Sequence, residues 1–128
     1  MLEEGKVIMI RKSADMKMEV RDKMRGGPGS VTIKHFFDKS EFTANARLCA
    51  RLILPPGAGI GQHQHDGEDE VYIVLRGSGI LDDGKVQTRV SSGDAILTGN
   101  GGIHAVTNDG KEDLEMIAMI MCYEAKKT

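Results

Sequence analysis

From Val31 onward the chain is built of short runs of valine, isoleucine, leucine and threonine that turn-forming residues interrupt. Glycine supplies 16 of the 128 residues, against a usual share of about 7%, and most glycines fall in these interruptions. Short β-branched runs bounded by glycine, asparagine and aspartate are typical of strands, and no helical period alternates with them. The pattern predicts an all-β barrel or sandwich, and the length suits one domain.

Eight strands are predicted in the body of the chain. They span 31–37, 46–54, 71–75, 79–81, 86–90, 94–97, 104–107 and 114–122. The last is apolar at nearly every position, which predicts burial of one face in the barrel and of the other against a second subunit, hence a homodimer. Residues 1–25 are expected to form an extension, strand-like or irregular, that could contact this subunit, and residues 26–128 the barrel domain.

Charge and targeting signals exclude several classes of function. The formal net charge of −2 gives no field that would attract nucleic acid or an acidic membrane surface. The first residues carry acids at once and do not resemble a signal peptide, and no apolar stretch approaches the roughly 18 residues of a membrane span. The two cysteines are isolated. A cytoplasmic protein with a small-molecule ligand is therefore expected.

Three of the four histidines and one glutamate are spaced as metal ligands. His63 and His65 are two residues apart, so in a strand both imidazoles project from one face. Glu70 follows after a short loop, and His104 follows a glycine-rich turn. Three imidazoles and one carboxylate suit one divalent transition metal, which could be Mn, Fe, Ni, Co, Cu or Zn. An octahedral ion would keep two positions open for water or substrate.

The wider spacing resembles the two sequence motifs of the cupin family. The matching positions are Gly57, His63, His65, Glu70 and Gly77, then Gly93, Gly99, Gly101, His104 and Asn108. The resemblance implies a double-stranded β-helix, or jelly-roll barrel, that is often dimeric and holds a metal at His63, His65, Glu70 and His104. Counting back from Gly77 selects Glu70 over its acidic neighbours Glu68 and Asp69. Gly99 stands where the second motif usually has proline, and we interpret Asn108 as a residue that closes a turn.

Four further residues are candidates for the substrate pocket. Alternation places His35 on the same face of its strand as Val31, Ile33 and Phe37, where it could line the pocket. Tyr72 shares a face with Glu70 and would offer a hydroxyl. Arg47 and Arg51 share a face of one strand, and either could bind a substrate carboxylate.

A metal held by three neutral imidazoles and one carboxylate keeps a net charge near +1, which favours small oxyanions or carboxylates. The chain is similar to oxalate-decarboxylase-like single-domain cupins in the stretches RGGPGSVTIKHFF and LILPPGAGIGQHQH. Where oxalate decarboxylases carry a pocket arginine, three residues before the first ligand histidine, this chain has Ile60. The first hypothesis is a decarboxylase-like or dioxygenase-like metalloenzyme in which Glu70 is catalytic. A non-catalytic metal-assisted binding or sensor protein is the alternative, and a sugar isomerase-like enzyme is the third.

Overall fold

A computed structural model of the protein describes residues 8–126. Within them ten strands form two antiparallel sheets. The strands are β1 (Lys17–Asp22), β2 (Ser30–His35), β3 (Ala46–Leu54), β4 (Gly59–Gln64), β5 (Glu68–Arg76), β6 (Ser78–Asp82), β7 (Gln87–Ser91), β8 (Ala95–Thr98), β9 (Ile103–Thr107) and β10 (Leu114–Cys122). The larger sheet has the order β1-β2-β3-β10-β5-β8 and the smaller β4-β9-β6-β7. The predicted all-β fold is confirmed.

Within residues 8–126, helical structure is limited to three single turns of 3-10 helix. These turns are Ser13–Asp15, Met24–Gly26 and Lys39–Glu41. In the part of the chain that the structure describes, no helix is long and apolar enough to cross a membrane.

Strand β10 lies at the centre of the larger sheet, between β3 and β5. Alternate residues of β10 point into the core and are buried, namely Leu114, Met116, Ala118 and Ile120. The three large side chains of this set, Leu114, Met116 and Ile120, each contribute roughly 1.5–3 kcal/mol through removal of apolar surface from water. The opposite face of β10, which carries Ile117 and Met119, is only half-buried on the single chain. The absence of a polar face in the sequence therefore reflects one face in the core and one on the outer surface of the sheet.

Two strands, β1 and β4, are not among the eight predicted for the body of the chain, although the extension that contains β1 was expected to be strand-like or irregular. Strand β1 has mostly charged and exposed residues, and among the described residues it pairs only with β2, so it lacks the apolar run that marks an inner strand. Strand β4 reads Gly-Ile-Gly-Gln-His-Gln, with glycine and polar residues where an ordinary strand carries apolar ones. The division into an extension (1–25) and a barrel domain (26–128) stays a prediction.

The Asn108 side chain connects three segments at one end of the barrel. Its Nδ2 atom donates to the backbone carbonyls of Leu54 (2.8 Å) and Glu112 (2.7 Å). Its Oδ1 atom accepts the N–H of Gly110 at 2.9 Å, and the residue is fully buried. The turn between β9 and β10 is thus closed against the end of β3, as interpreted from the sequence.

Replacement of Asn108 by alanine should destabilise the fold. Asn108→Ala removes the donors of two carbonyls, so the free energy of unfolding should fall by about 1–3 kcal/mol. Chemical denaturation measures this, with the exposed Lys111→Ala in the same turn as the control. An Asn108→Ala protein as stable as the control would contradict a structural role for this side chain.

Candidate metal centre

The four predicted ligands meet between the two sheets. His63 lies on β4 and His65 directly follows that strand, while His104 lies on β9, where it is the register partner of His63. Glu70 reaches the same place from β5, in the larger sheet. His65, Glu70 and His104 are buried, and His63 is half-buried. Because three imidazoles come from one sheet and the carboxylate from the other, the cluster exists only when the sheets pack together.

The donor atoms of these residues are spaced as ligands of a single ion. His104 Nε2 lies 3.0 Å from His65 Nε2 and 3.1 Å from His63 Nε2. Glu70 Oε1 lies 2.8 Å from His65 Nε2, 3.0 Å from His104 Nε2 and 4.0 Å from His63 Nε2. Bonds of about 2.1 Å to a metal place neighbouring ligand atoms about 3 Å apart and opposite ones about 4 Å apart. The spacing therefore fits one first-row divalent metal.

Each imidazole has a hydrogen-bond partner on its other ring nitrogen. His63 Nδ1 contacts the Gly61 carbonyl oxygen at 2.7 Å, and His65 Nδ1 contacts Glu68 Oε2 at 2.6 Å. Both partners only accept, so in these two rings Nδ1 carries the proton and Nε2 keeps a free lone pair. His104 Nδ1 contacts the Thr98 hydroxyl at 2.9 Å. Metal-binding histidines are characteristically oriented in this way.

Glu70 supplies the strongest indication of a cation. Its Oε1 atom is buried and accepts no hydrogen bond from the described residues. Burial acts to raise the pKa of Glu70, and the pKa falls to about 2 only through contacts with His104 and His63 and the positive charge that the neighbouring rings carry when they are protonated. Burial lowers the pKa of His104, which favours the neutral ring that a metal requires. An ionised oxygen without a donor at this depth is stabilised by a positive ion.

The acidic neighbours of Glu70 have different partners. Both carboxylate oxygens of Glu68 accept hydrogen bonds from the Arg47 guanidinium, at 2.7 and 2.8 Å, and one also contacts His65. The hydrogen bond from Arg47, more than any other contact, lowers the pKa of Glu68. Asp69 accepts a hydrogen bond from the Tyr123 hydroxyl at 2.6 Å. The structure thus places Glu70 in the cluster and gives Glu68 the task of orienting His65.

Gly99 stands where the second sequence motif usually has proline, and the structure shows a steric reason for glycine at this position. A Cβ atom at Gly99 would lie 1.8 Å from Asp69 Oδ1. That oxygen is held by Tyr123, whose hydroxyl also accepts the backbone N–H of Asn100 at 2.8 Å. Proline or any other residue with a Cβ would therefore break this link between the β8–β9 turn and the C-terminal segment.

A cavity of about 370 Å³ adjoins the cluster, and the residues that line it include Tyr72 and His35. The Tyr72 ring is buried and stacks on His104, with 5.0 Å between ring centroids. Burial and the charge of Glu70 raise the pKa of Tyr72 well above its usual value, so the phenol keeps its proton. His35 Nε2 lies 2.9 Å from Glu19 Oε1.

The two candidate arginines lie in different places. Arg47 is the extra residue of a β-bulge in β3, which frees it from the alternation of the strand. It lines the cavity, but Glu68 occupies its guanidinium. Arg51 lies on the outer face of the sheet, 3.6 Å from Glu115, and is not among the residues that line the cavity. Substrate binding by His35, Tyr72 and Arg47 stays a prediction.

Sequence reasoning missed several charged residues of the cavity wall. Besides Arg47, four cationic residues line it, namely Lys17, Arg21, Arg25 and Lys39. Lys17 and Arg21 alternate along β1, so recognition of β1 as a strand would have placed them on one face. Arg25 and Lys39 lie in 3-10 turns, where alternation carries no information.

A family model described as a cupin domain matches residues 50–120 of the chain. The chain belongs to the cupin family. The match spans the strands that carry all four candidate ligands of this cupin, and the fold agrees with the double-stranded β-helix that the motif resemblance implied.

Individual relatives extend the match beyond the motifs. A protein of Thermotoga maritima named oxalate-binding protein is 38% identical over 120 residues, which cover 94% of this cupin and 98% of the relative. A crystal structure described as a predicted oxalate decarboxylase from Thermotoga maritima has a TM-score of 0.85 and 38% identity, over 89% of this cupin and 99% of that chain. The polyketide cyclase RemF from Streptomyces resistomycificus has a TM-score of 0.72 at 15% identity, over 94% and 83%, and shows the fold alone.

Removal of the charge on Glu68 should weaken metal binding. Glu68→Gln leaves the His65 ring without its anionic partner, and loss of such a partner typically lowers metal affinity by about 10- to 100-fold. Calorimetric titration of the metal-free protein with Zn²⁺ measures the effect. Asp66→Asn removes the same charge from an exposed neighbour and is the control. Equal affinities for Glu68→Gln and the control would contradict the orienting role.

Proposed function

We propose that this cupin holds one divalent transition metal with His63, His65, Glu70 and His104, and that this metal binds a small carboxylate anion of the oxalate type. The buried carboxylate oxygen of Glu70, which lacks a donor and faces three oriented imidazoles, carries the proposal. Mn, Fe, Co, Ni, Cu and Zn all suit this donor set.

Charge and composition of the cavity support an anionic ligand. The bound ion would keep a net charge near +1 after coordination by one carboxylate and three neutral rings. Five cationic residues also line the cavity, against three acidic ones, Glu19, Asp38 and Glu70. The relative named oxalate-binding protein covers nearly the whole chain and points to the same class of ligand.

We further propose that the ligand is a substrate, converted in a decarboxylase-like or dioxygenase-like reaction. The metal, when bound, would supply Lewis acidity and a site for coordination of the substrate. Tyr72 offers a protonated phenol beside the cluster, and the pair of His35 and Glu19 can hold or move a proton at the cavity wall. Glu70 is the proposed catalytic residue because it fixes the charge at the reacting centre. The alternative is metal-assisted binding or sensing without turnover, which the name of the relative favours; the third is sugar isomerisation.

Metal reconstitution followed by oxalate titration tests the proposal. We expect close to one equivalent of Mn²⁺, Co²⁺ or Zn²⁺ per chain, and calorimetric oxalate binding that a chelator abolishes. Glu70→Ala should lower metal affinity at least about tenfold, whereas the exposed control Glu112→Ala should not. A protein that takes up no metal, or oxalate binding that survives chelation, would contradict the proposed function.

Product analysis separates the reaction classes. Incubation of the Mn²⁺ or Fe²⁺ protein with ¹³C-oxalate in air, followed by NMR, should show ¹³C-formate if the protein is a decarboxylase. Consumption without formate indicates oxidation. Full binding with unchanged oxalate favours the non-catalytic alternative, and ketose–aldose exchange on incubation with sugars favours the third.

We also propose that the outer face of the larger sheet pairs with a second copy of the chain. Cross-strand neighbours on this face form a continuous apolar surface of half-buried and exposed side chains, which includes Val71, Ile73, Leu97, Ile117 and Met119. Leu97 is 71% exposed on the single chain. A twofold pairing would bury this surface, with the ion pair of Arg51 and Glu115 beside it.

Sedimentation equilibrium at micromolar concentration should show a dimer. The double variant Ile73→Lys and Leu97→Lys should dissociate because it places charges in the centre of the apolar surface. Val86→Lys changes an exposed apolar residue outside the larger sheet and should leave the dimer intact. A monomeric wild-type protein would contradict the pairing.

A further inference from the structure

The cationic residues of the cavity differ in whether an acid already neutralises them. Arg47 is bound on two of its nitrogens by Glu68. Arg21 Nη2 pairs with Glu19 Oε1 at 3.1 Å. The side chain of Arg25 has neither a hydrogen bond nor an ion pair with any residue from 8 to 126. Among the three arginines of the cavity wall, Arg25 alone keeps its donors available within the part that the structure describes.

Arg25 is an exposed residue at the wall of the cavity that the ligand cluster also lines, and its backbone conformation is unusual. Its φ of 53° and ψ of 29° lie in the left-handed region, which a residue with a Cβ rarely adopts. The next peptide is fixed by hydrogen bonds from Gly26 N–H to the Lys23 carbonyl (2.8 Å) and from Gly27 N–H to the Met24 carbonyl (2.9 Å). Such conformations persist only where the surroundings enforce them, and they concentrate at binding sites.

The strand that carries His63 enforces the position of Arg25. A Cβ atom at Gly61 would lie 2.0 Å from the Arg25 carbonyl oxygen, so the absence of a side chain at Gly61 lets this turn lie directly against β4. Gly61 also supplies the carbonyl that orients His63. The same short segment therefore positions a candidate ligand and the turn of Arg25.

Arg25 and the buried Tyr72 line the same cavity. The charge of Arg25 acts on the phenol of Tyr72 and opposes the rise in the Tyr72 pKa that burial and Glu70 cause. Tyr72 in turn stacks on His104. Lys17 and Lys39 also have no ion pair with a described acid, but they lie near Asp38. Hydrogen bonds with Ser40 lower the pKa of Asp38 most, and the charges of these two lysines lower it further.

We propose that Arg25 binds the carboxylate oxygens of the dicarboxylate that the metal does not hold. This proposal rests on the proposed function and adds the residue that selects a dicarboxylate over a monocarboxylate. A guanidinium offers paired donors that match the two oxygens of a carboxylate. A monocarboxylate such as acetate would bind the metal with its one carboxylate and leave Arg25 without a partner.

The backbone of Arg25 provides an unusually clean test variant. Arg25→Gly removes the side chain and places at this position the residue that tolerates a positive φ, so the turn should be retained. Arg25→Lys keeps the charge but not the paired donors. Arg21→Gln removes one positive charge from the same cavity wall and is the matched control, because Arg21 is already paired with Glu19.

Calorimetric titrations of the Zn²⁺-loaded full-length proteins with oxalate and with acetate measure the effect. Metal content is determined before and after each titration, because oxalate itself chelates Zn²⁺. For Arg25→Gly the dissociation constant of oxalate should rise by about 10- to 100-fold, which is the loss expected for charged hydrogen bonds. Zn²⁺ affinity and acetate affinity should stay as in the wild type. Arg25→Lys should recover part of the oxalate affinity, and Arg21→Gln should change it by less than about threefold, since its charge is already neutralised and screened.

Two results would overturn the assignment of Arg25 while leaving the proposed function intact. In the first, Arg25→Gly binds oxalate as tightly as the wild type. In the second, oxalate affinity falls equally in Arg25→Gly and Arg21→Gln, which would indicate only a long-range effect of charge. Failure of the metal-loaded wild type to bind oxalate would overturn both the proposed function and this assignment.

Discussion

A cluster of three imidazoles and one carboxylate, shared between two apolar sheets, is the constraint on which the rest of this cupin depends. The Nε2 atom of His104 lies 3.0 Å from that of His65 and 3.1 Å from that of His63, and Glu70 adds a negative charge to the same space. Burial of such a group is costly unless a cation neutralises it. The Nδ1 contacts prepare the cluster for that cation, because they turn the Nε2 atoms inward before any ion arrives.

A second layer of charge surrounds this cluster and links it to the cavity wall. Arg47 and Glu68 form one such link, and through Glu68 the guanidinium acts on His65 without contact to a ligand. Arg25 is different, because its donors have no acid partner among the described residues. The two arginines therefore differ: Arg47 is neutralised by the acid that contacts a candidate ligand, His65, whereas Arg25 has no acid partner in the part of the chain that the structure describes.

The fold by itself does not select among the activities that this architecture supports. RemF shares most of the chain's backbone at 15% identity, which shows how far the barrel is preserved while residues change. Function therefore has to be inferred from the residues that face the cavity. The exposed apolar surface of the larger sheet lies on the opposite face from the cluster. Pairing of two copies through that surface would therefore add no residue to the cavity wall on β4 and β5.

Local sequence determined most of the strands and the pair His63 and His65, because two-residue spacing on extended backbone is a local property. The resemblance to the cupin motifs, and not local geometry, selected Glu70 from three adjacent acids and added His104. Strand β4 was not recognised from the sequence because histidine and glutamine replace the apolar residues that identify strands. One of these polar residues, His63, is a candidate metal ligand.

Only the tertiary structure decided which charged residues face the cavity. Alternation predicts which face a side chain occupies only within a regular strand, and the bulge at Arg47 interrupts β3. Arg51, four residues later in the regular part of the strand, points outward. Strand β1 and the turn at Arg25 enter the cavity wall through pairing with β2 and close approach to Gly61, which are contacts between segments distant in the chain. The sequence by itself determined the candidate ligands, through the local pair His63 and His65 and the motif resemblance that adds Glu70 and His104. The structure decided their hydrogen-bond partners, because contacts such as that of His65 with Glu68, and of Glu68 with Arg47, depend on how the strands meet.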